Sequence, residues 1–386
     1  MRIVDIREIT VPISRYADSG IRSGNLTTSI VAIVTDAVRD GSPLVGFGFA
    51  SFGRFAQGGL LRDRFIPRLL DARPGDLASD AGDVDPFRAW DCMMQDEKPG
   101  GHGERCVAVG TLDMALWDLA SKAAEKPLFR FLGHLVSGED PRGEAAAYAS
   151  GGYYFPSNDL TELADETRRV LDQGYTHLKI KIGGRPLSED IERIEAVLNL
   201  LPGGKHLAVD AMNRYTPDLA TEAAAVLAAY DLRWFEDACD PLDYVGQAEL
   251  ARLYAPPLAA GEALFSQVDA RNLIRFGGLR SDRDILMFDP VHAYGLPEYL
   301  RILDMLDHSG WPRSACQPHG GHLFCLHIVA TLGLGGCESN AHNFQPFGGF
   351  SDQSVVRDGA VRLPDAPGIG FETRGALWAL FESLVN

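Results

Sequence analysis

From about residue 145 onward, strand and helix signals alternate with a regularity that leaves few folds open. AAAYAS, THLKIKI, HLAVDA, LRWFEDA, PLAAGEAL, DILMFDP, SACQPH and GCESN read as short buried strands bounded by turn residues. Between them lie helical stretches. One runs from Asp159 to about Gln173 and is closed by Gly174, one begins at a Ser188 cap, and one has Thr216 as cap with Pro217 at its first position. YVGQAELARLY, SQVDARNLIRF, LPEYLRILDML and HLFCLHIVATL complete the set. Eight strands and seven intervening helices of this length fit a closed parallel barrel better than an open doubly wound sheet. No glycine-rich phosphate fingerprint opens a helix, because GFGFAS near residue 50 lacks a third glycine and starts none.

The chain before the barrel has another character. Residues 3–13 and 28–36 and the GSPLVGFGFA stretch read as strands, followed by a long helical stretch, CVAVGTLDMALWDLASKAAEKPLFRFLG, ending near Lys126-Pro127. Strands first and helices after them suggest an α+β unit. After about residue 350 a small hairpin and a final helix are expected to return to that first unit.

A formal net charge of −17 repels phosphate backbones and anionic lipid, so neither nucleic acid nor a membrane surface is an expected partner. An anionic small substrate would need a local cation. The N-terminal MRIVDIREITVPIS carries charges inside its first apolar stretch and has no signal-peptide core. The most apolar run, Leu323 to Cys337, is 15 residues with His327 inside it, too short to span a bilayer. A soluble, cytoplasmic protein is expected. The six cysteines, at 92, 106, 239, 316, 325 and 337, lack CxxC spacing and are expected to be reduced and buried.

In such a barrel the functional groups come from the C-terminal ends of the strands. Read in order, these are Lys181, Asp210, Glu236, Glu262, Asp289, His319 and Glu338. Three consecutive strands end in a carboxylate, at evenly spaced positions 210, 236 and 262. Converging carboxylates need a counter-charge, and an oxygen-only set selects a hard cation, Mg²⁺. A lysine beside that cation and a second lysine, Lys179, is expected to lose its proton more easily, so Lys181 reads as a base. An aspartate on the neighbouring strand, Asp289, is placed to orient His319 and raise its basicity. His322 and His327 read as structural.

KxK on the second strand, Asp, Glu and Glu on the third to fifth, Asp on the sixth and His on the seventh resemble the enolase superfamily, mandelate racemase subgroup. The stretches DEKPGGHGER, Gly151 to Tyr154 and Pro318 to His322 are similar to those of its D-tartrate dehydratases. The resemblance implies an α/β fold, a (β/α)7β TIM-type barrel over residues 141–350, with an N-terminal α+β capping domain over 1–140 and a C-terminal segment over 351–386 rejoining the cap. It implies that Asp210, Glu236 and Glu262 bind Mg²⁺ and that Lys181 removes the proton α to the substrate carboxylate. The enediolate would be stabilised with help from Glu338. His319, oriented by Asp289, would protonate the departing β-hydroxyl and leave an α-keto acid. Lys98, Tyr153 and Tyr154 are implied to touch the substrate, a hydroxy acid such as D-tartrate or a related sugar acid, in a homo-oligomer.

Some positions depart from the pattern. Met212 stands where the family has an asparagine, Asp237 where it has a second glutamate, and Ala263, Ala50 and Phe52 where polar groups are expected. Lost hydroxyl-binding groups redirect substrate choice. The same machinery would also serve a racemase or epimerase, if Lys181 and His319 act on one carbon from opposite faces. A sugar-acid binding protein that kept the fold without catalysis is a third reading.

Overall fold

The computed structural model describes residues 1–18, 21 and 23–385. The first unit is an antiparallel meander of β1 (Ile3–Pro12), β2 (Thr27–Arg39) and β3 (Ser42–Phe49), with Ile9 opposite Ile30 and Ile30 opposite Phe49. A 19-residue helix, Arg105–Ala123, covers it and is buried all round from Cys106 to Lys122, the pattern of a helix sandwiched between layers. Its approach to β3 depends on Gly46 and Gly48. A Cβ on these residues would stand 2.1 Å from the Ala115 carbonyl oxygen and 2.5 Å from that of Thr111. The glycines of GFGF therefore serve helix-on-sheet packing. The helix stops at Ala123, short of the expected Lys126-Pro127, and Leu128–Val136 forms a separate helix beyond the proline.

The second unit is a parallel barrel. β4 (Glu144–Ser150), β5 (Leu178–Lys181), β6 (Leu207–Asp210), β7 (Phe235–Glu236), β8 (Leu258–Ala260) and β9 (Ile285–Leu286) pair in sequence order, and β10 (Cys337–Ser339) returns to pair with β4. The expected seventh strand, SACQPH, is reduced to one bridge between Leu286 and Cys316 and to bonds from the Gln317 and His319 amides to β9. Gly335 then bonds the Cys316 carbonyl and closes the ring toward β10. The segment is thus tied to its neighbours by a few main-chain bonds, the last from the His319 amide to the Met287 carbonyl.

Period-2 alternation divides each strand. Leu178, Ile180 and Ile182 join the main core, while Tyr148, Ala208, Trp234, Ala259 and Met287 fill a separate layer inside the barrel. Trp234 meets Tyr148 edge to face at 5.1 Å. Two residues beyond Lys179, Ala208 and Trp234, on the same faces, stand Lys181, Asp210 and Glu236. Thr216 caps its helix as expected, by accepting from Leu219. Ser188 does not: the helix starts at Leu187 with Pro186 at the cap position, so Ser188 lies in the first turn.

The tail makes the expected hairpin, β11 (Val356–Arg357) and β12 (Ala360–Arg362), which adds antiparallel to β4. Its last helix, Gly375–Val385, rests on the first unit, where Trp378 and Phe381 pack on Phe47 at 5.4 and 4.9 Å. His327 is structural, as expected. It accepts from the Phe129 amide and donates to the Ile369 carbonyl, tying the barrel to the first unit and the tail. The cysteines are free, and all but the partly exposed Cys92 are buried. Among the described residues no helix is long and apolar enough to cross a membrane.

Candidate active site

Strand register gathers the polar groups at one end of the barrel. Lys181 is paired with Asp210, and Asp210 with Glu236, so three neighbouring strands deliver these side chains side by side. Glu262 comes from the turn just beyond β8. One carboxylate oxygen from each of Asp210, Glu236 and Glu262 lies within 4.8 Å of the others, and only Glu262 is more than slightly exposed. An all-oxygen triad this close fits a hard divalent cation after small adjustments. Trp234, two residues before Glu236, donates its indole N–H to Glu236 Oε2 at 2.7 Å and fixes one of these oxygens from below.

The lysines on β5 face this set. Lys179, with no exposed side-chain surface, places Nζ 2.6 Å from Glu236, 3.1 Å from Glu338 and 3.8 Å from Asp210. Lys181 Nζ lies 2.5 Å from Asp210 Oδ2 and 5.4 Å from the centre of the Tyr153 ring. Burial and Lys179 both favour a neutral Lys181, as the sequence suggested. Against them the adjoining Asp210 carboxylate, with Tyr153 behind it, raises the pKa above the ordinary lysine value. The lowering expected of Lys181 depends on a cation beside it; toward the carboxylates alone the shift runs the other way, because the nearest charge is negative. Lys179 is held protonated in the same way: burial opposes it, but Glu236 and Glu338 outweigh burial.

Glu338 completes the ring of charges around Lys179. Its Oε1 pairs with Lys179 and its Oε2 accepts from the Gly320 amide at 3.1 Å. Burial works against ionisation, yet Lys179 and then His319 hold the carboxyl well below its usual range. Glu338 therefore stands as the ion-pair partner of Lys179. Gly320 is required in the PHGGH turn. Its φ is +125°, and a Cβ would fall 2.9 Å from Cys325 Sγ and 3.0 Å from His322 Nε2.

His319 lies on the other flank of the triad. Its Nδ1 is 2.8 Å from Asp289 Oδ2 and its Nε2 is 3.7 Å from Glu262. Burial disfavours the imidazolium, but Glu262, then Asp289 and Glu338, outweigh it and lift the pKa to about 10. Asp289 is buried and well supported: Oδ1 accepts from the Val291 and His292 amides, and Oδ2 also accepts from the Ser51 hydroxyl at 2.9 Å. The arrangement offers a lysine on one side of the carboxylates and a protonated, oriented imidazole on the other.

The substrate-contact expectations divide. Tyr153 stays beside Lys181. Tyr154 does not face the triad with a free hydroxyl, since that group donates to Asp190 at 2.5 Å and accepts from Gly184 at 2.9 Å, which makes it a buttress for the turn after β5. Lys98 stands exposed in a turn, with its carbonyl held by Arg105, and among the described residues its ammonium has no ion-pair partner. Ala50 and Phe52 are 0% and 1% exposed, with Phe52 stacked on Phe344 at 4.5 Å, so they pack instead of lining the mouth. Met212 bonds Asp210 Oδ1 through its main-chain N–H at 2.7 Å, with φ 52°, a contact that asks nothing of the side chain.

Sequence reasoning passed over Ser51, Arg54 and His292. Ser51 lies between the two buried apolar residues and reaches across to Asp289. Arg54, in the same loop, covers the Phe265 ring at 4.9 Å, three residues beyond Glu262, and is in electrostatic reach of His292. Among the described residues it has no carboxylate within ion-pair distance. His292 is buried against His319, with ring centres 5.3 Å apart. Only His292 left a legible signal, its spacing of three residues from Asp289 in DPVH.

The family description "Enolase C-terminal domain-like" matches residues 162–377, more than half of the chain. An arabinonate dehydratase from Saccharolobus solfataricus is 28% identical over 294 residues, covering 75% of this chain and 76% of that one. A 3,6-anhydro-alpha-L-galactonate cycloisomerase from Streptomyces coelicolor is 29% identical over 351 residues, covering 89% and 91%. Among solved structures, a racemase from Streptomyces coelicolor A3(2) with bound magnesium superposes with a TM-score of 0.75 at 26% identity, covering 97% of this chain and 99% of that one. With a barrel closed in this order and the family matched across it, the chain belongs to the enolase superfamily.

Proposed function

We propose that the protein is a Mg²⁺-dependent dehydratase of a sugar acid. The observation that carries the reading is the placement of Lys181 and His319 on opposite flanks of one carboxylate triad, each within contact of a triad member. Asp210, Glu236 and Glu262 would hold the Mg²⁺, which when bound supplies Lewis-acid polarisation of the substrate carboxylate. Lys181, beside Asp210, would take the α proton as the base, and a cation on the triad would draw off the Asp210 charge that favours its ammonium. Lys179 keeps the triad at its proper charge and stays protonated. His319, fixed by Asp289, gives its proton to the β-hydroxyl, water leaves, and the enol becomes an α-keto acid. Arg54, at the rim and without a carboxylate partner, is the cation that would meet a distal group of the substrate, in place of Lys98.

Two relatives named for sugar-acid chemistry support the substrate class. D-tartrate belongs to the panel to be tested, with the longer sugar acids. The assay is keto-acid formation by purified protein with Mg²⁺ across that panel, repeated with a chelator. Chelator-sensitive keto acid from any member supports the reading, and Arg54→Gln should then raise KM more for dicarboxylates than for monocarboxylates. If no panel member yields keto acid but α protons exchange with D₂O, the same flanking geometry favours a racemase or epimerase, and the dehydratase reading falls.

A further inference from the structure

Beside the Asp289–His319 pair lies an imidazole that the proposed reaction does not use. His292 is 2% exposed, and its Nδ1 is 3.6 Å from Asp289 Oδ2. Among the described residues neither ring nitrogen makes a well-formed hydrogen bond, and its contact with the Glu262 main chain is a weak one. A buried imidazole held this loosely is under-satisfied, which makes the ring available to a ligand. One ligand atom from each of Asp289, His292 and His319 lies within 4.8 Å of the other two. Two imidazole nitrogens and one carboxylate oxygen form a borderline donor set, in contrast to the oxygen-only triad next to it.

We propose that Asp289, His292 and His319 form a second cation site, which takes a borderline divalent ion such as Zn²⁺ and switches the enzyme off by occupying the histidine that protonates the leaving group. The switching half rests on the dehydratase reading, while the site itself rests on geometry alone. On binding, the Nδ1 proton that His319 shares with Asp289 goes to solvent, and the nitrogen lone pair and the Asp289 oxygen turn to the metal. Ser51 and the Val291 and His292 amides still hold Asp289 and orient it. Glu262 and Glu338, which face His319, favour a cation there, and Arg54 at the rim opposes it. Mg²⁺, which prefers oxygen ligands, has little reason to leave the triad for this set.

The test is calorimetric titration of Zn²⁺ into the full chain held in saturating Mg²⁺, with anomalous diffraction at the zinc edge. One Zn²⁺ per chain is expected, bound with proton release and seated among the three side chains. His292→Asn should weaken it by about 10–100-fold, while Glu236→Gln should leave it unchanged. Zinc lost in Glu236→Gln but kept in His292→Asn would place the ion in the oxygen triad and overturn the proposal, as would failure to bind zinc at all over Mg²⁺. If His292→Asn does not fold, His292→Gln and the wild-type zinc position decide the matter. Zinc seated at the site in a protein that dehydrates no sugar acid would leave the site standing and remove the dehydratase reading. Undiminished turnover with zinc in place would remove the switch.

Discussion

Replacing Lys179 with methionine removes the one positive charge that touches three carboxylates. Its ammonium is fully buried, 2.6 Å from Glu236, 3.1 Å from Glu338 and 3.8 Å from Asp210. Methionine fills a similar volume, so the packing against Tyr148 is largely kept and the loss is electrostatic. Breaking a buried pair by removing one partner costs about 3–5 kcal/mol. For a chain of 386 residues that corresponds to a fall in Tm of about 4–6 °C. The measurement is thermal unfolding of wild type and variant, each with chelator and with excess Mg²⁺. In chelator the variant should show the full deficit. Mg²⁺ should stabilise the variant more than wild type, because the carboxylates it joins carry one more unit of uncompensated negative charge. Glu338→Gln added to Lys179→Met should recover part of the loss, since it removes an anion left without its partner. An unchanged Tm in chelator, or an equal Mg²⁺ shift in both proteins, would refute the view that Lys179 sets the charge of the triad.

Lys181→Ala should lower turnover about 100–10,000-fold and abolish solvent exchange of the substrate α proton, and exchange at the wild-type rate would remove Lys181 as the base. Ser51→Ala withdraws one of two donors from Asp289 Oδ2. Turnover should fall about 5–30-fold, from about 1–2 kcal/mol for a bond to a charged acceptor, with the alkaline limb of the pH–rate profile moved, and an unaltered profile would make Ser51 a packing residue only. His327 gives a pH signature away from the site. Burial pulls its pKa down from 6.5 to about 4, despite its bond to Ile369. Between those values the unfolded chain binds a proton that the native state refuses, so the contribution to stability is present above pH 6.5 and is lost as the pH falls through this window. His327→Gln keeps an acceptor and a donor but does not titrate. The difference between its unfolding free energies from urea titrations at pH 7 and pH 5 should therefore be smaller than in wild type, by up to about 1.4 kcal/mol per pH unit, and an equal difference in both proteins would rule out His327 as the titrating group.

Much of the architecture was legible because strand and helix periods are local properties. Thr216 before Pro217 capped its helix, and Leu178, Ile180 and Ile182 turned to one face of β5. The misses also have local causes. Ser188 looked like a cap, but the chain entered the helix one residue earlier, at Leu187, behind Pro186. SACQPH had the composition of a strand, yet it keeps a single bridge, with its Gln317 and His319 amides bonded to Leu286 and Met287 outside a regular ladder.

What the sequence determined by itself was which side chains share the mouth of the barrel, because strand ends follow from period and spacing. What only the tertiary structure decided was what each of those groups can do. Asp210 is the nearest neighbour of Lys181 and favours its charged form, Glu338 pairs with Lys179, and Tyr154 turns to Asp190. Ser51 enters the site from a loop more than 200 residues away in sequence. Charge and hydrogen bonding act over a few ångströms in space, a distance that the order of residues along the chain does not encode.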